Sequence, residues 1–420
     1  MRELSGNAPV RDEPVHGERG WLAVGLGLAA VGWGANQFAP LLLMYRTELG
    51  VSVATVQATY GLYAVGLIPG LLLAGSLSDR YGRRRVMVPA LVMSVVASLL
   101  LVMGGQALAW LFVGRLVAGV ASGVAFSSGT AWLKELSTTG SPREPNPGAR
   151  RATVAMTVGF AGGPLVAGLL AQWAPVPTVS AYLPHLALTL LALPVLARTP
   201  ETHAADPTVT LWSTPRLPAA SRRRYRAVVL PLAPWVFTSS AIALAYLPGL
   251  IKDRLGENAL VFGALITAAT MLAGILVQPL ARRASRSDRP TLLAMALGAV
   301  ILGLVVGAVA AASAQPWLIG TAALVLGAAY GCCLVCGLLE VQRIADPTNL
   351  GRLTAIFQAV AYLGFGAPYL LAVLESWWSK TVLLLAVAVL AVLTLAWTTW
   401  RMFSLTASMK ASRSSPSKNL

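Results

Sequence analysis

Charged side chains are scarce in this chain, so the few that stand close together carry the first clues to its chemistry. Residues 75–87 read Gly-Ser-Leu-Ser-Asp-Arg-Tyr-Gly-Arg-Arg-Arg-Val-Met, placing one acid, Asp79, among Arg80, Arg83, Arg84 and Arg85. An acid so placed can pair with arginine or cap the start of the next helix. Gly75 and Gly82 permit close helix approach and a tight reversal where a side chain would clash. Two more acids, Glu135 and Glu340, end apolar runs. Glu135 can reach Arg83 or Arg84, and Glu340 can reach Arg282 or Arg283. The chemistry on offer is the making and breaking of ion pairs.

Arg115 stands apart from these groups. It is the only Lys or Arg well inside an apolar run, in Gly114-Arg-Leu-Val-Ala-Gly-Val-Ala-Ser-Gly123. Glycines at 119 and 123 lie on one helix face and allow close packing. A buried arginine stays charged, so it must face water, an acid or an anionic substrate, unless it snorkels toward the membrane surface. His185 is the one histidine within an apolar run. It either titrates near neutrality or is simply packed. Cys332, Cys333 and Cys336 share one apolar run without a second ligand pair, which reads as small-residue helix packing and neither a metal site nor a disulfide framework.

The elements that must position these residues are membrane spans. Of 420 residues, 56% are hydrophobic and 11% charged, against about 25% charged in a soluble protein. Spans are expected near 21–45, 54–76, 86–105, 108–133, 152–173 and 181–197, then 227–250, 259–281, 291–313, 317–339, 353–374 and 379–402. The net charge of +16 comes from arginines between spans. It therefore reads as orientation and contact with anionic lipid head groups, with no basic-aromatic stripe for nucleic acid. With the N-terminus inside, inner segments hold 27 Lys and Arg against 4 outside, which places both termini in the cytoplasm. The first 20 residues are polar, contain Arg2, Arg11 and Arg19, and have no signal-peptide core, so the first span is expected to stay as an anchor.

A Pro- and Thr-rich linker, 199–225, separates a six-span half at 21–198 from one at 226–402. Short cytoplasmic tails, 1–20 and a basic 403–420, flank them. Glu48 and Asp253, and likewise Glu135 and Glu340, stand 205 residues apart, so the halves read as a repeat. The repeat-mate of the 75–87 loop is Ala-Arg-Arg-Ala-Ser-Arg-Ser-Asp-Arg at 281–289, and the mate of Arg115 is Ala322.

Gly75, Leu77, Asp79, Arg80, Gly82, Arg83 and Arg84 resemble, in order and between the second and third spans, the loop signature of the major facilitator superfamily. The Arg115 run resembles that family's fourth-helix motif, which is associated with proton-coupled members. Gly159-Phe-Ala-Gly-Gly163-Pro164-Leu-Val-Ala-Gly168 resembles the Gly-Pro helix-kink motif of its twelve-span drug–proton antiporter branch, with Ala167-Gly168 where the branch has Gly-Gly. The resemblance implies an all-α membrane fold of twelve transmembrane helices in two pseudo-symmetric bundles. It implies alternating access, with Asp79, Glu135 and Glu340 and their basic loops forming an inner gate closed in the outward-facing state. It also implies a substrate cavity, with candidates Asn36, Gln37, Tyr60, Arg115, Trp235, Tyr246, Tyr330, Gln358 and Tyr362. Asn36-Gln37 stands where some drug–proton antiporters carry an acid.

The expected function is secondary transport of small organic molecules, lipophilic or weakly anionic, by a monomer in the cell membrane that exports them in exchange for protons. An uptake permease is the alternative. A membrane-embedded enzyme would need clustered His, Asp or Glu within the spans, and all sixteen acids fall in loops, tails or helix ends. No P-loop supports ATP-driven pumping, and no cofactor or metal motif is present.

Overall fold

The computed structural model is a bundle of helices, and it describes residues 16–137, 147–211, 217–285, 291–346 and 349–414. The first six spans are α1 (His16–Asn36), α2 (Val53–Tyr81), α3 (Arg83–Met103), α4 (Leu108–Ser137), α5 (Pro147–Trp173) and α6 (Leu183–Ala197). A short bridging helix, Leu42–Glu48, joins α1 to α2. The second six are α7 (219–251), α8 (259–284), α9 (Thr291–Ser313), α10 (Pro316–Ile344), α11 (350–374) and α12 (Lys380–Ser414).

Ten helical stretches are long and apolar enough by themselves to cross a bilayer. One of them, 219–284, folds back at Gly256 (φ 52°) and supplies both α7 and α8. The glycine-rich α1 adds the twelfth span. Unpaired leucines and valines cover the outside, such as Leu191 (70% exposed) and Leu276 (72%). Exposed tryptophans gird each end: Trp173, Trp317 and Trp377 near one face, Trp397 and Trp400 near the other. Exposed aromatics at both edges of an apolar band are the mark of a bilayer-embedded bundle.

Backbone-close glycine contacts build both halves in the same way. A β-carbon on Gly119 would lie 2.1 Å from the Tyr63 carbonyl oxygen and one on Gly123 2.3 Å from that of Leu67, so α2 and α4 touch backbone to backbone. Gly327 and Gly331, 208 residues further on, press equally close to Thr270 and Gly274 and join α8 to α10. In a medium as apolar as the side chains, such close approach is what drives helix association.

Several element bounds differ from the expectations. The first span ends at Asn36 because turns at 37–41 lead into the bridging helix. Helix α7 begins at Ala219, inside the expected linker, and α12 runs on to Ser414, into the expected tail. Alanine and arginine favour helix as strongly as leucine does, so the polar ends of both spans continue the winding. Much of the expected N-terminal tail (1–15) and the far C-terminus (415–420) lie outside the described residues.

The halves meet where α2 faces α11 and α5 faces α8. A β-carbon on Gly168 would lie 2.4 Å from that of Ala264, and one on Gly61 3.4 Å from the Phe365 carbonyl oxygen. Gln57 Nε2 donates to the Ala245 carbonyl at 2.6 Å, and Lys252 Nζ to Thr47 Oγ1 at 2.5 Å. These contacts gather toward one face, here called distal. The opposite, basic face carries the α2–α3 turn and the segment after α6.

Candidate functional site

On the basic face, α2 ends at Tyr81 and α3 begins at Arg83, with Gly82 alone as the turn. Its φ of 100° is a conformation that L side chains avoid. The exposed N–H groups opening α3 are capped from far away in sequence. Glu201, just beyond α6, accepts the Arg83 N–H at 2.8 Å and the Arg84 N–H at 3.0 Å. A carboxylate at a helix start also complements the helix dipole. A β-carbon on Gly82 would lie 2.6 Å from Glu201 Oε2, so glycine is required there twice over.

Arg83 is the hub of this corner. Its side chain is 8% exposed and reaches Asp79 Oδ1 at 2.5 Å, Ser78 Oγ at 2.6 Å and Glu135 Oε1 at 2.8 Å. Thr202 Oγ1 donates to Glu135 Oε2 at 2.5 Å, Trp132 Nε1 to the Pro200 carbonyl at 3.2 Å, and the Asp206 N–H to the Asp79 carbonyl at 3.2 Å. Residues 199–206 thus form a strap across the corner, within the stretch expected to be a linker. At its end, the Thr208 hydroxyl and N–H hold the exposed Asp206 carboxyl below the usual carboxylate range. Arg80 stands 5.7 Å over the Tyr81 ring, Arg84 Nη1 donates to the Thr199 carbonyl at 3.5 Å, and a Gly75 β-carbon would meet Ser127 Oγ at 3.6 Å.

The second half inverts the charges. Glu340 on α10 is the buried centre (5% exposed), and it accepts from Arg224 Nε and Arg343 Nη1, each at 2.9 Å. Arg282 and Arg283, the expected partners, are not used. Arg224 at the start of α7 and Arg343 one turn along α10 already occupy both carboxylate oxygens. Arg286, Asp288 and Arg289 of the repeat loop lie outside the described residues. Both clusters pair residues of their own half.

Arg115, on α4, is fully buried, and among the described residues no carboxylate pairs with it. Its Nη1 donates to the Ala35 carbonyl at 3.2 Å and Nη2 to that of Tyr60 at 3.5 Å, while Nε has no partner. The guanidinium lies 4.5 Å from the Tyr63 ring centroid, 4.8 Å from Phe38 and 5.9 Å from Tyr60. Aromatic faces stabilise a desolvated cation by about 2 kcal/mol. Tyr60 stacks in turn on Phe365 of α11 at 5.1 Å, and Tyr63 packs tilted against it at 5.7 Å. Phe365 continues into Phe237, Tyr362 and Tyr330. An aromatic seam therefore runs from Arg115 across the junction of the halves.

Among the expected cavity residues, Tyr60, Arg115, Tyr330 and Tyr362 come together at this seam, and Gln358 sits half-buried one turn from Tyr362. Others are drawn elsewhere. Gln37 donates to Ser98 Oγ at 3.2 Å, and Ser98 meets His185 Nδ1 at 2.8 Å, so both fall in a polar knot inside the first half. His185 also contacts Ser94 and Thr189, and its Nε2 fills the place of a Gly34 β-carbon. Asn36 donates to the Phe160 carbonyl at 3.5 Å, and Trp235 Nε1 to Thr394 Oγ1 on α12 at 3.2 Å. Tyr246 lies in a separate distal pocket. Gly163 backs onto the Trp33 carbonyl, 2.6 Å from where its β-carbon would be, and Pro164 stays within α5. Sequence reading missed Phe237, Phe365, Glu201 and Arg224. Of these, only Glu201 left a trace, as an acid directly after a span. Among the described residues, no group of three or more His, Cys, Asp or Glu could hold a metal ion.

Two six-helix halves, each packed on glycine contacts that recur in the other, carry the loop signature at the α2–α3 turn. The sequence profile of the Major Facilitator Superfamily matches residues 22–368. The chain belongs to the major facilitator superfamily. A chloramphenicol resistance protein of Pseudomonas aeruginosa is 26% identical over 287 residues, covering 66% of this chain and 64% of that relative. The multidrug resistance protein MdtL of Klebsiella pneumoniae is 33% identical over 88 residues, 21% of this chain and 22% of its own. The alignments thus span less than two thirds of either relative's length. A crystal structure of the peptide transporter POT in complex with sulfate superposes with a TM-score of 0.73 at 13% identity, over 90% of this chain and 94% of that one. This major facilitator protein shares the fold of that transporter.

Proposed function

We propose that the protein exports small organic molecules, lipophilic or weakly anionic, across the cell membrane in exchange for protons. The basic face lies in the cytoplasm, as the 27-to-4 distribution of Lys and Arg requires. Anionic head groups of the inner leaflet neutralise the arginines left over from the ion-pair corners. Drug-resistance relatives favour the outward direction.

The observation that carries the reading is Arg115. A fully buried guanidinium without an acid is a standing charge held only by rings and carbonyls. Two of those rings also pack against Phe365 of the opposite half. When the halves part on the distal face, Phe365 leaves with its own half and the shield over Arg115 loosens. The charge then answers the anionic part of a substrate held among Tyr60, Tyr330 and Tyr362. Arg83 and Glu340, each locked by two partners, keep each half rigid as it rocks. The protein acts as a monomer and needs no cofactor.

The test is a substrate screen in proteoliposomes with an imposed pH gradient. Inside-out vesicles with an acid lumen should accumulate substrate, and Arg115→Ala should abolish this. Accumulation by right-side-out vesicles alone would make the protein an uptake permease, and flux indifferent to the gradient would remove the proton.

A further inference from the structure

The distal seam carries a pocket that opens to solvent. Leucines of the bridging helix and Arg46 form one wall, Gln57 and Tyr246 lie deepest, and Glu375 and Lys380 stand at the loop before α12. One of its buried polar atoms has no hydrogen bond: Gln57 Oε1, on a residue 5% exposed, while the Tyr246 hydroxyl faces Glu375. A buried acceptor that nothing meets destabilises the fold.

Local winding sets these atoms in place. Over Ile242–Tyr246, α7 is π-helical, and over Leu247–Ile251 it is 3₁₀, with Pro248 contributing no N–H. Such π-turns recur at functional sites. The Ala245 carbonyl here accepts Gln57 Nε2 from the other half, which leaves Gln57 Oε1 to the pocket. Opposed charges, Glu375 against Arg46 and Lys380, border the same space.

We propose that this pocket binds, from the distal side, a small amphoteric molecule with an apolar body: an ammonium and a carboxylate on one hydrocarbon skeleton. The ammonium donates to the Glu375 carboxylate and Gln57 Oε1. The carboxylate meets Arg46 and Lys380, and the leucine wall holds the skeleton. Because both halves line the pocket, an occupant ties them together and holds the distal face shut. The site is therefore regulatory and separate from the aromatic seam. Only its effect on flux rests on the transport reading.

Phenylalanine is the probe, titrated calorimetrically into the full chain in lipid nanodiscs. Phenethylamine and 3-phenylpropionate, each lacking one charged group, are the comparators. Phenylalanine should bind saturably and about tenfold or more tighter than either comparator, and Glu375→Gln and Lys380→Met should each weaken it by a similar factor. Glu375 is half-buried and Lys380 exposed, so both variants should fold. Absent binding, or equal binding by comparators or variants, overturns the site. A second readout is bismaleimide cross-linking of Thr47→Cys with Lys252→Cys, across the contact that closes the distal face. Phenylalanine should speed it, and an unchanged rate overturns the tying role. Neither assay needs transport, so failure of the export reading would leave both results standing.

Discussion

The two halves share a scaffold but solve one electrostatic problem in opposite ways. At the basic corner of the first half, one buried arginine, Arg83, is held by two acids. At the matching corner of the second, one buried acid, Glu340, is held by two arginines. Either arrangement compensates a desolvated charge with a pair of opposite ones, which burial demands. Glycine positions at helix crossings repeat because only glycine permits that approach. The sign of the corner charge does not repeat because only compensation is required. The asymmetry deepens at Arg115, whose repeat-mate Ala322 is equally buried but carries no charge. The first half thus supplies the fixed charge of the seam, and the second supplies most of its rings.

The sharpest way to break this comparison is to remove that charge. Arg115→Ala should lower flux by about 100-fold while membrane abundance stays near wild type, because no acid is left stranded. Arg115→Lys should recover part of it, since an ammonium keeps the charge but not the flat face that lies over Tyr63. Equal flux in all three proteins, measured in proteoliposomes, would remove Arg115 from transport.

A smaller effect separates the corners. Arg83→Ala strands Asp79 and Glu135, which are partly exposed (42% and 32%), so the expected loss of stability is about 1–3 kcal/mol, less than for a fully buried pair. Glu340→Gln strands Arg224 and Arg343, which are 28% and 49% exposed and reach water on long stems. Its loss should be about 1 kcal/mol or less. Thermal unfolding in detergent should rank Arg83→Ala below Glu340→Gln; the reverse order would mean that the inverted corner is the stiffer one.

What was legible in the sequence follows from these forces. Apolar runs and loop charges reveal spans, because the bilayer penalises every departure from them. Asp79, Arg83 and Glu135 were readable because a charge at a span end has few possible partners. Arg282 and Arg283 were chosen wrongly because a repeat-based match cannot see that Arg224, from another helix, fills the carboxylate first. Gln37 looks like a cavity residue along the chain, yet helix rotation turns it onto Ser98, beside the packed His185. Rotation about a nearly all-apolar helix leaves no mark in composition.

The Glu201 strap offers a test of long-range capping. Glu201→Gln keeps the shape and one of the two acceptors but removes the charge from the start of α3, which is worth about 0.3–1 kcal/mol. Glu201→Ala also frees two N–H groups and should cost about 1–2 kcal/mol. The two variants should lower Tm in that order. If both lower Tm equally, the charge alone is the hold and the hydrogen bonds add nothing.

The smallest expected effect decides which aromatic residue of α7 belongs to the seam. Sequence reading favours Trp235, but its indole bonds to Thr394 inside the second half. Phe237, two residues on, stacks 4.0 Å from Tyr362 and lies 5.3 Å from Phe365, next to the rings that cover Arg115. Trp235→Phe loses one hydrogen bond of about 1 kcal/mol and leaves the seam intact, so flux should fall by less than about twofold. Phe237→Leu keeps the apolar volume but removes aromatic pairing worth about 0.5–1.5 kcal/mol, so flux should fall by about three- to fivefold. A larger loss for Trp235→Phe would move the substrate path toward α12 and away from Arg115.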